Sequence, residues 1–268
     1  MKAEIAVMTA EHIDMDAIAR GGEILKNGGL VAFPTETVYG LGGNALDPKA
    51  SMKIYAAKGR PSDNPLIIHI ADIRDLDKIV TEVPEKAKIL AEKYWPGPLT
   101  MILPKADIVP KETTGGLDSV AVRFPSDRIA QELILAAGGY VAAPSANTSG
   151  RPSPTTAGHV AEDLGEAIDM IIDGGQVNIG LESTIVDFTE DRRNKDPVDR
   201  KQDQKSHNGK QNPSSNSYHS MINIIFSCIL HDNSPLTVKL THNTYIQPAE
   251  DRHYNKQQHS QRRSISYV

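Results

Sequence analysis

The stretch GGLVAFPTETVYGLGGNALDPKASMKIYAAKGRPSDNPLIIHI, residues 28–70, predicts two strands separated by a helix. Its apolar runs GLVAFPT and PLIIHI are typical of buried strands, because β-branched and aromatic residues favour extended backbone. Between them we expect a helix over residues 48–58, with Asp47 as the N-cap and Pro48 in the first helical position. This order of strand, helix and strand predicts a sheet with helices packed on it.

The same alternation continues outward to about residues 14 and 188. Four more helices are expected over residues 14–27, 84–94, 126–137 and 156–164. Five more strands are expected in LTMILP, SVAVRFP, YVAAPSA, AIDMIIDGG and STIVDF. The fold class is therefore predicted to be mixed α/β (α+β), with a twisted mixed β-sheet of about seven strands covered by helices.

The composition changes near residue 192 and divides the chain into two parts. Of the 20 glycines, 19 precede Arg192, whereas asparagine and glutamine number seven before it and fifteen after it. The later part is polar apart from one short apolar run, MINIIFSCIL, and such a composition buries too little apolar surface to fold. We predict a compact domain over residues 1–191 and an atypical, disordered tail over residues 192–268.

The overall charge and cysteine count exclude some classes of protein. A net charge of −5 argues against a chain whose main task is to follow nucleic-acid phosphates, although it leaves room for a local basic pocket. The single cysteine, Cys228, excludes a disulfide framework or a cysteine zinc site within one chain. The acidic start lacks a signal-peptide pattern, and no apolar run approaches the ~18 residues of a membrane span. We therefore expect a cytoplasmic protein with no membrane contact.

Polar residues interrupt or follow the predicted strands in five segments, a pattern typical of ligand sites in α/β sheets. The segments are FPTETVYGLGGNA (33–45), KGRPSDNPLIIHI (58–70), SVAVRFP (119–125), APSANTSGRPSPT (143–155) and LESTIVDF (181–188).

Each segment also has a plain structural interpretation. The threonines of the first segment suit a turn, Lys58 and Arg60 suit a solvated helix end, and His69 suits a packed core position. Arg123 faces the same side of its strand as Ala121, so it needs either an anion or an edge strand that leaves its charge in water. The chain has no Walker A, GxGxxG or HExxH pattern, so the residues alone predict only a small anionic ligand in a pocket.

Taken together, the motifs PTETVYGL, KGRP with NPL and HI, WPGPLT, RFP, PSAN and STIVD resemble the YrdC family over about residues 14–188. The resemblance implies an L-threonylcarbamoyladenylate synthase, a nucleotidyltransferase that condenses L-threonine, bicarbonate and ATP and releases pyrophosphate. It also implies a downstream complex that transfers the threonylcarbamoyl group to tRNA, and an RNA contact. The threonine amine captures bicarbonate, and the resulting carbamate attacks ATP, so the enzyme's task is positioning and charge neutralisation.

The resemblance also implies roles for individual residues. Lys58 and Arg60 are the expected catalytic residues, and Mg²⁺ bound with ATP is the expected cofactor, without a metal site on the protein. The threonine site is expected to contain Thr37, His69, Arg123, Ala143 and Ser183. The ATP site is expected to contain Arg60, Asn64, Ser119, Ser145, Asn147 and Ser153.

The sequence departs from the family pattern after STIVD. The family continues into a segment like LRPG, whose arginine reaches ATP, and longer members add a linker and a second domain. Here STIVDFTED runs into RRNKDPVDRKQ, and neither Arg192 nor Arg193 matches the position of the missing arginine. We interpret the tail as a change of reading frame or an unrelated replacement, a hypothesis that the genomic sequence after Asp191 tests.

Two other functions are compatible with the same fold. One is a non-catalytic module that binds double-stranded RNA on a concave positive surface, although the net charge of −5 counts against it. The other is carbamoyl transfer in hydrogenase maturation, which is expected to come with zinc-finger and acylphosphatase domains that this sequence lacks. Release of pyrophosphate from ATP, with threonine or bicarbonate omitted in turn, separates the three.

Overall fold

A computed structural model describes residues 2–189 of the chain. The prediction of a disordered tail over residues 192–268 lies outside the described residues. Within residues 2–189, no helix has the length and apolar character needed to cross a membrane.

The strands form one mixed sheet of nine members in the order β1-β8-β2-β3-β7-β4-β6-β5-β9. They are β1 Glu4–Val7, β2 Val31–Phe33, β3 Gly40–Asn44, β4 Ile67–His69, β5 Leu99–Pro104, β6 Ser119–Arg123, β7 Val141–Ala142, β8 Met170–Asp173 and β9 Thr184–Asp187. The pairs β1–β8, β2–β8, β4–β6 and β5–β9 are parallel, and the other four pairs are antiparallel. The prediction of a mixed α/β sheet is therefore confirmed.

Five helices lie within the predicted ranges, and the four-residue helix α3 was not predicted. They are α1 Met15–Lys26, α2 Pro48–Lys58, α3 Leu76–Ile79, α4 Glu85–Tyr94, α5 Arg128–Ala136 and α6 Ala157–Leu164, with a 3₁₀ turn at Ile73–Asp75 before α3. The Asp47 side chain accepts a hydrogen bond from the Lys49 amide at the start of α2, as expected of an N-cap. Gly59 ends the same helix at φ 58°, a conformation that glycine adopts without steric cost.

The expectation of about seven strands is too low, because β1 and β3 are absent from it. β3 has the sequence GLGGN, and glycine weakens strand propensity. Only glycine fits at Gly42, however, because a Cβ there would lie 2.9 Å from side-chain atoms of both Phe33 and Val141. β1 is a short edge strand in which only Ala6 is buried, so its sequence lacks a clear apolar alternation.

The two faces of the sheet are covered unequally. One face packs against α2, α3, α4 and α6 through a large core that includes Ile68, Met101 and Val122. On the other face, α1 and α5 pack over β2, β7 and β8 in a smaller core. Farther along that second face, on β4, β5, β6 and β9, the side chains of Ile67, Ala121 and neighbouring positions are only half-buried. We call this incompletely covered region the open face.

Candidate active site

A row of polar side chains crosses three neighbouring strands of the open face. His69 on β4 pairs directly with Arg123 on β6, and Arg123 pairs with Thr100 on β5. Residues paired in this way point to the same face of a sheet, so the three side chains are neighbours. The Thr100 Oγ1 lies 2.7 Å from the Oγ of Ser183, which stands just before β9. The row therefore joins residues that are more than 100 positions apart in the chain.

Arg123 is buried, and the interpretation of β6 as an edge strand is wrong. β6 lies between β4 and β5, and Arg123 is 4% exposed. Its Nη2 atom lies 2.9 Å from Oε1 of Glu36, but the two groups do not meet in hydrogen-bond geometry. Within residues 2–189, the Arg123 Nε atom and both carboxylate oxygens of Glu36 also have no hydrogen-bond partner. Buried charges with unmet hydrogen bonds are costly, so this pair has unused capacity for a polar ligand.

Glu36 is a residue that the sequence analysis missed. It lies in the turn after β2, where the Thr35 hydroxyl donates to the Val38 carbonyl and accepts from the Thr37 and Val38 amides. The turn expected from the threonines is therefore present, and it holds Glu36 against Arg123. The carbonyls of Glu36 and Thr37 accept hydrogen bonds from residues 179 and 180, which fastens the turn to the segment before β9. A glutamate between two threonines after a buried strand was the available signal.

His69 is neutral in this environment. Burial, reinforced by the neighbouring guanidinium of Arg123, lowers the pKa of His69 to about 3. The ring is 3% exposed, lies edge-on to Phe33, and its Nδ1 is 3.2 Å from the Ile67 carbonyl oxygen. The core-position interpretation of this histidine therefore holds, although the residue also lies beside Arg123. A neutral ring adds no second positive charge there.

Lys58 is buried, which corrects the expectation of a solvated helix end. It is 1% exposed, and its Nζ donates to the backbone carbonyls of Ser145 and Asn147 and to the Asn147 side-chain oxygen at 3.3 Å. The backbone amide of Ser149 donates a hydrogen bond to the Lys58 carbonyl. Burial, reinforced by repulsion from Arg60, lowers the pKa of Lys58 to about 7. The lysine therefore ties the end of α2 to residues 143–155, which we call the 143–155 loop.

Arg60, in the segment after α2, is a second cationic side chain close to Lys58. The Arg60 Nε donates to the Asn64 carbonyl and its Nη2 to the Pro65 carbonyl, each at 3.2 Å. Arg60 and Asn64 are both half-buried. Two adjacent cations, one of them buried, favour an anion in the space between them.

The 143–155 loop is braced from within and from both sides. The Asn147 side chain donates to the carbonyls of Thr148 and Arg151, so it is occupied inside the loop. Asp163 on α6 accepts from the Thr148 amide and pairs with Arg151. At the far end of the loop, the Ser153 hydroxyl donates to Glu182 at 2.9 Å, next to Ser183. This bond joins the loop to the row of polar residues on the open face.

The predicted site residues fall into two groups and one outlier. The first lies along the row of Arg123: His69 pairs with Arg123, Ser183 contacts Thr100, Thr37 follows Glu36 in the turn, and the Ala143 amide donates to the Ile67 carbonyl. The second surrounds the 143–155 loop and contains Lys58, Arg60, Asn64, Ser145, Asn147 and Ser153. Ser119 stands apart from Arg123, because it begins β6 opposite Pro104 while Arg123 ends the strand. Glu36, Thr100 and Glu182 complete these contacts and were missed, although they lie within the quoted segments, because the sequence does not show which polar residues of a segment contact the others.

Comparison with known proteins supplies the family. The Sua5/YciO/YrdC family model, described as telomere recombination, matches residues 23–195. A threonylcarbamoyl-AMP synthase of Pyrococcus abyssi is 55% identical over 186 residues, which cover 69% of this chain and 55% of the relative. One of Bacillus subtilis is 54% identical over 175 residues, which cover 65% of this chain and 51% of the relative.

Solved structures agree with the sequence comparison. The P. abyssi Sua5 structure complexed with L-threonine is 53% identical with a TM-score of 0.68, and the match covers 71% of this chain and 55% of that chain. The chain thus spans about half the length of the curated relatives it matches. The resemblance read from the motifs is confirmed, because the family model covers more than half of the sequence and includes eight of the nine strands. This chain belongs to the Sua5/YciO/YrdC family.

Proposed function

We propose that this chain carries the catalytic domain of a threonylcarbamoyl-AMP synthase, which forms threonylcarbamoyl-AMP and pyrophosphate from L-threonine, bicarbonate and ATP. The observation that carries the proposal is the buried guanidinium of Arg123, whose Nε meets no hydrogen-bond partner among residues 2–189. A planar guanidinium matches a carboxylate through two parallel hydrogen bonds. The 53%-identical Sua5 structure with L-threonine supports an amino acid as the source of that carboxylate.

The threonine site in this proposal is the group around Arg123. Arg123 binds the carboxylate, and the buried hydroxyls of Thr37 and Ser183 offer hydrogen bonds to the polar end of the amino acid. Neutral His69 closes one side without competing for the carboxylate. Ala143 contributes only a methyl group, so it leaves room for the substrate.

The nucleotide site in this proposal is the group around the 143–155 loop. Arg60 meets the phosphates and Lys58 adds positive charge near them, while the side chains of Asn64, Ser145 and Ser153 contact the rest of ATP. Asn147 holds the loop in place, and Ser119, which stands apart, would reach ATP only at the edge of the site. Because burial lowers the pKa of Lys58 to about 7, the charge of its amine near neutral pH responds to the groups placed beside it. Phosphates placed close to Lys58 favour its charged form, which strengthens the interaction where negative charge accumulates.

The proposed chemistry needs no nucleophile from the protein. The threonine amine forms a bond to the carbon of bicarbonate, and a C–O bond breaks so that water leaves and a carbamate remains. The carbamate oxygen then forms a bond to the α-phosphorus, and the bond from that phosphorus to pyrophosphate breaks. The residues of the chain therefore act by holding the two reacting groups in line and by stabilising the charge on the leaving pyrophosphate. The turn at residues 34–38, which is hydrogen-bonded to the segment before β9, borders the site and limits the access of water to the carbamate.

We also propose that Mg²⁺ enters with ATP. Among the described residues, no group of three or more histidine, cysteine, aspartate or glutamate side chains is placed to hold a metal ion. Mg²⁺ commonly binds through substrate phosphates and only one or two carboxylates. Glu182, which accepts a hydrogen bond from Ser153, is the carboxylate beside the proposed phosphate residues. The ion, when bound, would neutralise part of the phosphate charge.

The biological role in this proposal is tRNA modification. The threonylcarbamoyl group passes to the adenosine beside the anticodon through a separate transferase complex, and the protein acts in the cytoplasm. The names of the P. abyssi and B. subtilis relatives support the synthase role. The double-stranded-RNA-binding alternative is the weaker one, because a structure of a 53%-identical relative contains L-threonine.

The test is release of pyrophosphate by the full chain with MgATP, L-threonine and bicarbonate. We expect release to require all three substrates, and omission of threonine or bicarbonate to return it to the background. Release that is independent of threonine or bicarbonate contradicts the proposal. Titration with a short double-stranded RNA, in the same buffer, provides the comparison for the RNA-binding alternative.

A further inference from the structure

Glu36 is a buried charge that the proposed chemistry leaves without a role. The residue is 8% exposed, and its Oε1 lies 2.9 Å from Nη2 of Arg123. Within residues 2–189, neither of its carboxylate oxygens makes a hydrogen bond, and the Nε and Nη2 of Arg123 also make none. An ion pair at this depth is stabilising only when further hydrogen bonds satisfy both groups. Both side chains therefore have capacity for a ligand that carries charges of both signs.

The surroundings make the two ends of this pair electrically different. The carboxylate of Asp127, the N-cap of α5, lies close enough to Glu36 to repel it: burial raises the pKa of Asp127, and Glu36 raises it further. On the other side, His69 beside Arg123 is uncharged. The site is thus positive at Arg123 and negative towards Glu36 and Asp127. These charges are complementary to an amino-acid zwitterion, whose carboxylate is negative and whose ammonium group is positive.

We propose that Glu36 is a positioning residue that binds the α-ammonium group of the substrate while Arg123 binds its carboxylate. The inference rests on the proposed function, because it takes an amino acid as the ligand. In an α-amino acid, the nitrogen and the carboxylate carbon are both bonded to Cα. A zwitterion that lies alongside the contacting arginine and glutamate can therefore reach both, and it adds a charge-assisted hydrogen bond to each member of a poorly aligned ion pair.

This arrangement selects between ligands of the same shape. A carboxylic acid without an amine takes the guanidinium of Arg123 and leaves the carboxylate of Glu36 buried without a cation. Removing one partner of a buried pair in this way is strongly unfavourable, whereas L-threonine leaves neither charge unmatched. Glu36 therefore lowers the affinity of the site for hydroxy acids and keto acids, which would otherwise fit it.

The test compares two ligands by calorimetric titration of the full chain. One ligand is L-threonine, and the other is 2,3-dihydroxybutyrate, which has a hydroxyl group in place of the amine. The unmodified chain should prefer L-threonine by about 10- to 100-fold, the range expected of a charge-assisted hydrogen bond. Glu36→Gln keeps the shape and removes the charge, so it should reduce this preference to less than about threefold.

Two further variants distinguish a role of Glu36 in positioning the substrate from a role in stabilising the fold. Glu36→Asp keeps the charge and should retain most of the preference, even where both ligands bind more weakly. Glu85→Gln removes an exposed carboxylate of α4 that pairs with Lys88, and it should leave both affinities unchanged. Thermal unfolding of each variant reports whether the fold is intact. If Glu36→Gln does not fold, the Glu36→Asp comparison carries the test, and a lost preference there overturns the inference.

The outcomes are distinct from those of the proposed function. If Glu36→Gln weakens both ligands by the same factor, Glu36 is only structural and the inference is wrong, while the threonine site stands. If the unmodified chain does not bind L-threonine at all, the proposed function and this inference fail together. Loss of the preference in Glu36→Gln with its retention in Glu36→Asp supports the inference.

Discussion

Arg123 and His69 lie opposite each other on β6 and β4, and they are 4% and 3% exposed. Their chemical states differ because burial acts differently on the two groups. The guanidinium keeps its charge at any ordinary pH and needs a counter-charge, which Glu36 supplies at 2.9 Å. The imidazole loses its proton instead, since its pKa lies at about 3. The charge state of each of these residues, and its need for a partner, therefore depends on how deeply the side chain is buried.

Arg123→Lys should weaken binding of L-threonine more than binding of ATP. Lysine keeps the positive charge but loses the planar fork that donates two parallel hydrogen bonds to a carboxylate. We expect threonine affinity to fall by about 10-fold or more and ATP affinity to change by less than about threefold. Calorimetric titration of each ligand is the measurement, with Arg20→Lys, an exposed arginine that pairs with Glu4, as the control. Equal losses for the two ligands would place Arg123 outside the threonine site.

His69 should make the fold sensitive to acid. The pKa of this ring falls from 6.5 to about 3 on folding, so the unfolded chain binds more protons than the folded chain between those values. Stability should therefore be complete above about pH 6.5 and should fall steadily towards pH 3, by an amount on the order of a few kcal/mol. His69→Gln should flatten this part of the profile in denaturant titrations, whereas His159→Gln, on the exposed side of α6, should not. A profile of unchanged slope in His69→Gln contradicts the assignment.

The pairing of strands in the sheet brings the side chains of the site close to one another. β4, β6 and β5 are consecutive in the sheet, although the segments between them include α3, α4 and long loops. α2 contributes through its last residue, Lys58, which reaches across to the carbonyls that follow β7. Each element supplies one or two side chains, and the hydrogen bonds between loops set their directions. Changing a contact between elements should therefore affect the fold and the site together.

Lys58→Ala should lower stability as well as pyrophosphate release. The substitution leaves the carbonyls of Ser145 and Asn147 without their donor in a buried place, which costs about 1–3 kcal/mol. For a domain of this size, that loss lowers the thermal midpoint by about 2–4 °C per kcal/mol. Lys49→Ala, an exposed lysine of the same helix, is the matched control. An unchanged midpoint in Lys58→Ala would show that the 143–155 loop does not depend on this lysine.

The whole described region is organised around one continuous sheet. Both cores and every predicted site residue lie between Ala6 and Phe188. The sequence as a whole has a net charge of −5, yet the site contains three basic side chains, Lys58, Arg60 and Arg123. Overall charge therefore does not report the charges at the site, because most acidic side chains of residues 2–189 are exposed and only a few, such as Glu36, lie at the site.

Deletion of residues 195–268 should leave a folded domain with a thermal midpoint within about 2 °C of the full chain. The reason is that the nine strands and both cores are complete by Phe188, and that the deleted sequence is mostly polar. Scanning calorimetry of the two chains is the measurement. A truncated chain that unfolds, or whose midpoint falls by 10 °C or so, would show that the domain does not end near residue 191.

The sequence alone determined the features that depend on residues adjacent in the chain. Seven strands and five helices follow from apolar periodicity, and the start of α2 follows from Asp47 and Pro48, because these signals act within about one turn of helix or a few residues of strand. The family followed from six short motifs read in order. The segments that carry polar site residues could be named for the same reason.

Only the tertiary structure decided which of those segments are neighbours and what is buried between them. The position of β6 inside the sheet, the burial of Lys58 and the contact of Glu36 with Arg123 all depend on pairing between residues far apart in the chain. β3 was missed because its glycines oppose strand formation locally, while close packing against Phe33 and Val141 requires them. Long-range pairing sets the depth of each charge, and depth sets its pKa and its need for a partner, so neither follows from local sequence.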